Sequence, residues 1–125
     1  MTTRGYSLID EAEKISADVE THLEHVADVM KELDERKQEL VQREAELDID
    51  IRSYPGRYGF DSAKKPTENL IKTTIVTEDS VIKLEDEIID LKYKVRRLEA
   101  KTEGLKTKRS MIKAISRFTA ELTGA

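Results

Sequence analysis

Cysteine and tryptophan are absent from this 125-residue chain, and aromatic residues of any kind make up only 5% of it. Without cysteine there is no disulfide, no thiol nucleophile and no thiolate zinc site. With so few large rings and 38% charged residues, a single copy can bury little apolar surface. No apolar run approaches the roughly 18 residues of a membrane span. The first residues, Met1–Ser7, lack the apolar stretch of a signal peptide. No Gly-rich loop of the Walker type is present, and the carboxylates are spread along charged, periodic stretches rather than gathered for a pocket. The expectation is one domain at most, cytoplasmic, with no membrane partner, no cofactor and no catalytic residues.

What the chain does have is periodicity. Alanine, glutamate, lysine, leucine and arginine dominate, the composition of long helices that pack on one another. A first, acidic helix is expected over residues 7–52, with Ser7 as N-cap and Asp10 and Glu11 in its first turn, where the helix dipole favours negative charge. Val19, Leu23, Val26, Met30, Leu33, Lys37, Leu40, Glu44, Leu47, Ile51 and Tyr54 follow alternating three- and four-residue steps. That heptad stripe predicts a coiled-coil seam, with Lys37 and Glu44 as polar interruptions. At about 1.5 Å per residue such a helix is roughly 65–70 Å long.

A second long helix is expected over residues 67–103, on Leu70, Thr74, Thr77, Val81, Leu84, Ile88, Leu91, Val95, Leu98 and Leu105, widened by Ile75, Ile82 and Ile89. The β-branched run Thr73–Thr77 leaves a strand open there. Gly104 is expected to divide this arm, because glycine costs about 1 kcal/mol inside a helix. Residues 104–125 then form a short basic amphipathic segment. Met111, Ile112, Ile115, Phe118 and Leu122 share one side, with Lys106, Lys108, Arg109, Lys113 and Arg117 around them. This face is read as closing a homo-oligomer, with a membrane-surface helix as the alternative. The predicted fold is therefore all-α: a long helical hairpin with coiled-coil seams, a connecting loop at 53–66 and a short C-terminal helix, assembled as an oligomer.

The connecting loop carries the chemistry. Tyr54-Pro55-Gly56-Arg57-Tyr58-Gly59-Phe60 holds three of the chain's six aromatic residues. Arg52, Arg57, Lys64 and Lys65 surround them, and Lys72 follows. Residues 1–50 carry six Lys/Arg against fifteen Asp/Glu, whereas residues 51–77 carry five against two. Bases of a single strand stack on aromatic rings for roughly 1–3 kcal/mol each, while cations follow the phosphates. A duplex offers no free base faces. The candidate binding residues for single-stranded nucleic acid are thus Arg52, Tyr54, Arg57, Tyr58, Phe60, Lys64, Lys65 and Lys72. The plainer reading is that Tyr54 closes the seam and Phe60 packs beneath the turn. His22 and His25 lie one turn apart, but a metal needs three or four convergent ligands, so exposed helix histidines are expected and no metal.

Tyr54-Pro55-Gly56-Arg57 after a long helix, Lys65-Pro66-Thr67-Glu68 at a helix start, Asp79, Val81 and Lys83 at their spacing, and Arg109 together resemble the UvsY-type phage recombination mediator family over roughly residues 52–118. The resemblance implies a non-enzymatic oligomer that binds single-stranded DNA and helps a RecA-like recombinase replace single-strand binding protein, in the host cytoplasm. It also gives Met111, Ile112, Ile115 and Phe118 an oligomerisation role. Family members can carry basic residues just before the turn tyrosine, where this chain has Asp48 and Asp50. Two other readings stay open: a structural coiled-coil phage protein, scaffold or assembly chaperone, without DNA binding, and an adaptor that meets a protein partner through Glu32, Asp34 and Glu35.

Overall fold

A computed structural model describes residues 4–122, with side chains from Leu8 onward. It contains α1 (Arg4–Ser53), a 3₁₀ turn at Pro55–Tyr58, α2 (Glu68–Thr77) and α3 (Asp79–Leu122). Among the described residues there is no strand. The expected all-α class stands, and the β-branched run Thr73–Thr77 is helical.

Several boundaries differ from expectation. The backbone is already helical at Arg4, so Ser7 is not the cap; no proline stands before it to stop the helix. Asp10 and Glu11 accordingly lie beyond the first turn. Gly104 does not divide the second arm: α3 runs through it without a break. The break falls instead at Glu78, in extended conformation with ψ 131°. Just before it, the hydroxyls of Thr73, Thr74 and Thr77 donate to carbonyls four residues back at 2.8, 2.7 and 2.9 Å, competing with the helical ladder. The Glu78 N–H donates to the Ile75 carbonyl at 3.2 Å, and the Glu78 carbonyl accepts from Val81 and Ile82 at 3.0 Å each. One residue thus closes α2 and opens α3.

The chain forms two compact units, Met1–Met30 with Tyr93–Ala125 (the terminal unit) and Lys31–Lys92 (the loop unit). In the loop unit the two long helices run antiparallel. Arg36 pairs with Glu87 at 3.3 Å, and seven residues on Arg43 donates to Ser80, seven residues earlier in α3. Leu47, Ile51, Ile71, Ile75 and Val81 form its core. In the terminal unit, Ala12, Ile15 and Val19 of α1 pack with Ile112 of α3. Fully burying each Val, Leu or Ile side chain among them stabilises by about 1.5–3 kcal/mol.

One column of the expected seam is buried or half-buried: Val19, Val26, Leu33, Leu40 and Leu47. Its partner column holds only at its end, where Ile51 is fully buried; before that it lies elsewhere. Leu23 and Met30 are exposed, and the positions that turn inward are Ile15, His22 and Val29, then Arg36 and Arg43. A stripe chosen for the largest apolar residues passes over positions where an arginine can lay its stem on the core and aim its head at a partner. The expected widening of the second stripe also fails in α3, because Ile82 and Ile89 are exposed. Leu70 is exposed as well, and Ile71 takes the buried place on α2.

Candidate nucleic-acid interface

The loop begins where α1 ends. Tyr54 still donates its backbone N–H to the Asp50 carbonyl at 2.8 Å, but Pro55 follows and the chain tightens into the 3₁₀ turn. Gly59 sits at φ 82°, a left-handed conformation that other residues adopt at a steric cost. Its N–H reaches the Gly56 carbonyl at 3.3 Å, and the Phe60 N–H reaches that of Pro55 at 3.1 Å. Asp61 then caps the next bend by accepting from the Ala63 N–H at 2.9 Å. Thr67, with its hydroxyl accepting from the Leu70 N–H at 3.3 Å, caps α2.

These constraints split the three loop aromatics. Tyr58 and Phe60 are half-buried against the loop-unit core of Leu47, Ile51, Ile71, Ile75 and Val81. Tyr54 points outward and is 54% exposed. The Arg57 guanidinium lies 4.2 Å from the centre of the Tyr54 ring, a stacked cation–π arrangement that covers one face of the ring.

The arginines are neutralised by carboxylates. Arg52 meets Asp48 at 3.2 Å and both oxygens of Glu68 at 2.8 Å. The hydrogen bonds to Glu68 and then Asp48 hold its guanidinium still more firmly protonated. Arg57 meets Asp50 at 3.4 Å, and the same carboxylate accepts a hydrogen bond from the Tyr58 hydroxyl. That bond, followed by desolvation, pushes the Tyr58 hydroxyl above its ordinary range. Lys64, Lys65 and Lys72 are exposed and make no ion pair among the described residues.

Of the eight residues singled out by sequence, the turn brings Tyr54 and Arg57 into one contact and joins Arg52 to the start of α2 through Glu68. The parts that sequence reasoning missed are the acidic partners. Asp48 stands four residues before Arg52, a spacing that pairs side chains on a helix. Asp50 and Glu68 depend on how the turn folds back, and nothing in the sequence signals them.

At the other proposed surface, Ile112 is buried within the chain, whereas Met111, Ile115, Phe118 and Leu122 are 51–72% exposed. His22 bonds to the Asp18 carbonyl at 2.9 Å through Nδ1. Among the described residues no group of three His, Asp or Glu side chains is placed to hold a metal, and no helix is long and apolar enough to cross a membrane. Set beside known proteins, the chain matches no protein family, no curated protein and no solved structure.

Proposed function

We propose that this chain is a non-enzymatic recombination mediator that binds single-stranded DNA as an oligomer. In that role it helps load a RecA-like recombinase in place of single-strand binding protein, in the cytoplasm of a phage-infected host. The observation that carries the reading is the exposed Tyr54 ring stacked under Arg57, on a turn that also presents Lys64 and Lys65 without carboxylate partners. A base can take the open face of Tyr54 while the cations meet its phosphates. Each copy makes few contacts, so affinity depends on several copies engaging one strand together. The finer fold belongs to the same reading: a helical hairpin paired through coiled-coil seams, associating through Met111, Ile115, Phe118 and Leu122. Their four-, three- and four-residue steps make a heptad stripe, from which Ile112 is withdrawn by its packing inside the chain.

The test is fluorescence anisotropy of labelled oligo-dT with the purified protein across a salt series, against a matching duplex. The expected result is preference for the single strand, weakening with salt at about −0.7 in log–log slope per neutralised phosphate. Tyr54→Ala and Arg57→Ala should each weaken binding about tenfold. A well-folded protein that ignores the strand at low salt overturns the reading. The half-burial of Tyr58 and Phe60 favours the structural coiled coil as the second reading, in which loop substitutions change stability and nothing else.

A further inference from the structure

The terminal unit carries another ring beneath a cation. On α3, Tyr93 is 62% exposed, and the Arg97 guanidinium lies 5.6 Å from its ring centre. Lys94, Arg96 and Lys101 stand close by on the same helix, all exposed. Between residues 93 and 101 the sole carboxylate is Glu99. Unlike Arg52 and Arg57, none of these four cations enters a salt bridge among the described residues. Four-residue steps put Tyr93, Arg97 and Lys101 on one ridge, about 6 Å apart along the axis. Lys94 lies beside Arg97 at three residues' spacing.

The residue types narrow the ligand. A cation without a carboxylate partner exchanges its mobile counterions for phosphates, and that release drives association with a polyanion. A carboxylate-rich peptide would use the charges and leave the ring idle. A single strand uses both, because each base presents a flat face next to a phosphate. The exposed tyrosine makes no contribution to the core of its unit, so the packing of the chain does not explain it.

We infer that Tyr93, Lys94, Arg96, Arg97 and Lys101 form a second surface for single-stranded nucleic acid, with Tyr93 stacking on a base and the four cations holding the flanking phosphates. The inference shares its ligand class with the loop reading and none of its residues.

Because the chain has no tryptophan, Tyr93→Trp places a lone tryptophan, excited selectively over the remaining tyrosines, on this ridge, and Tyr54→Trp places one on the loop. Titration of the full-length Tyr93→Trp protein with oligo-dT should quench its emission saturably. Adding Arg97→Glu and Lys101→Glu in that background should raise the half-saturating strand concentration about tenfold or more. Circular dichroism of each variant checks that the helices persist. Quenching of Tyr54→Trp but not of Tyr93→Trp overturns the α3 surface and leaves the loop reading intact. Quenching of Tyr93→Trp alone supports the α3 surface and sinks the loop. Silence at both positions sinks both. Tighter binding of poly-glutamate than of oligo-dT at the Tyr93→Trp site overturns the nucleic-acid assignment in favour of an acidic protein segment.

Discussion

The loop unit and the terminal unit are built from the same two long helices, yet they bury their side chains to different depths. In the loop unit Ile51, Ile71 and Val81 are at most 1% exposed, and Leu47 is 2% exposed. Ile75 of the same core keeps 8%, and in the terminal unit the corresponding cluster of Ala12, Ile15, Val19 and Ile112 keeps 3–7%. Large apolar residues stand outside both cores, Ile9, Ile115 and Phe118 in one unit and Val41, Ile49 and Ile89 in the other. The difference is α2. A two-helix pair has one seam, and any apolar residue off that seam stays in water. A third helix, inserting Ile71 and Ile75, roofs the seam and draws Tyr58 and Phe60 in behind it. The comparison teaches that a third helix gives two of the loop unit's aromatics, Tyr58 and Phe60, a place against its core, whereas Tyr93 and Phe118 of the terminal unit stay exposed, as Tyr54 does.

The largest test of that contrast is truncation of the cores. Ile51→Ala should cost about 3–5 kcal/mol, against about 2 kcal/mol for Ile15→Ala, because an enclosed site cannot collapse around the cavity. Chemical denaturation followed by circular dichroism reads the difference, and equal losses would erase the distinction between the units. Next comes the apolar face outside the terminal core. Ile115→Asp with Phe118→Asp should shift sedimentation toward the single chain while leaving helicity nearly unchanged, because neither side chain belongs to the intrachain cluster.

A smaller effect, of opposite sign, is expected at Gly104. Its added Cβ would meet nothing within 4 Å, so Gly104→Ala should stabilise by about 1 kcal/mol. Destabilisation would mean that the added Cβ meets a neighbour there and would overturn this expectation. The smallest effect is one of pH. The Tyr58 hydroxyl, raised by its bond to Asp50, contributes stability that is fully present below the ordinary tyrosine value of about 10. That contribution is lost as the pH climbs through the higher folded value. Stability of the wild type should therefore fall more steeply with pH in that alkaline window than that of Tyr58→Phe.

Much of this architecture could be read from residue spacing. The all-α class and the column Val19, Val26, Leu33, Leu40 and Leu47 follow from three- and four-residue steps, and the connection after α1 from Pro55, Gly56, Gly59 and Pro66. The second column follows only at Ile51, since Leu23 and Met30 look more apolar than His22, Arg36 and Arg43. Which of them faces a neighbour depends on partners such as Glu87 and Ser80, supplied from far along the chain. The helix break was misplaced for a related reason. Gly104 is the weaker helix former, but the threonine back-bonds before Glu78 act through local hydrogen-bond competition that propensity alone does not describe. At the loop, the mix of rings and cations was visible, whereas the inward turn of Tyr58 and Phe60 and the carboxylate pairing of Arg57 required the folded turn. The basic ridge at Tyr93 is masked in the sequence because residues 78–103 carry eight Asp/Glu against six Lys/Arg, and the block total hides the cluster.

Glu78 has one more consequence. A ten-residue helix is too short to persist in water by itself, and α2 is joined to α3 through a single extended residue. Its order therefore depends on Ile71 and Ile75 remaining seated, and the loop that ends at its N-cap shares that dependence. Under the proposed function, folding of the core and occupancy of the loop are two ends of one thermodynamic linkage. A strand held at Tyr54 and Arg57 should raise the melting temperature of the loop unit, and any change that unseats α2 should weaken strand binding by the same coupling free energy.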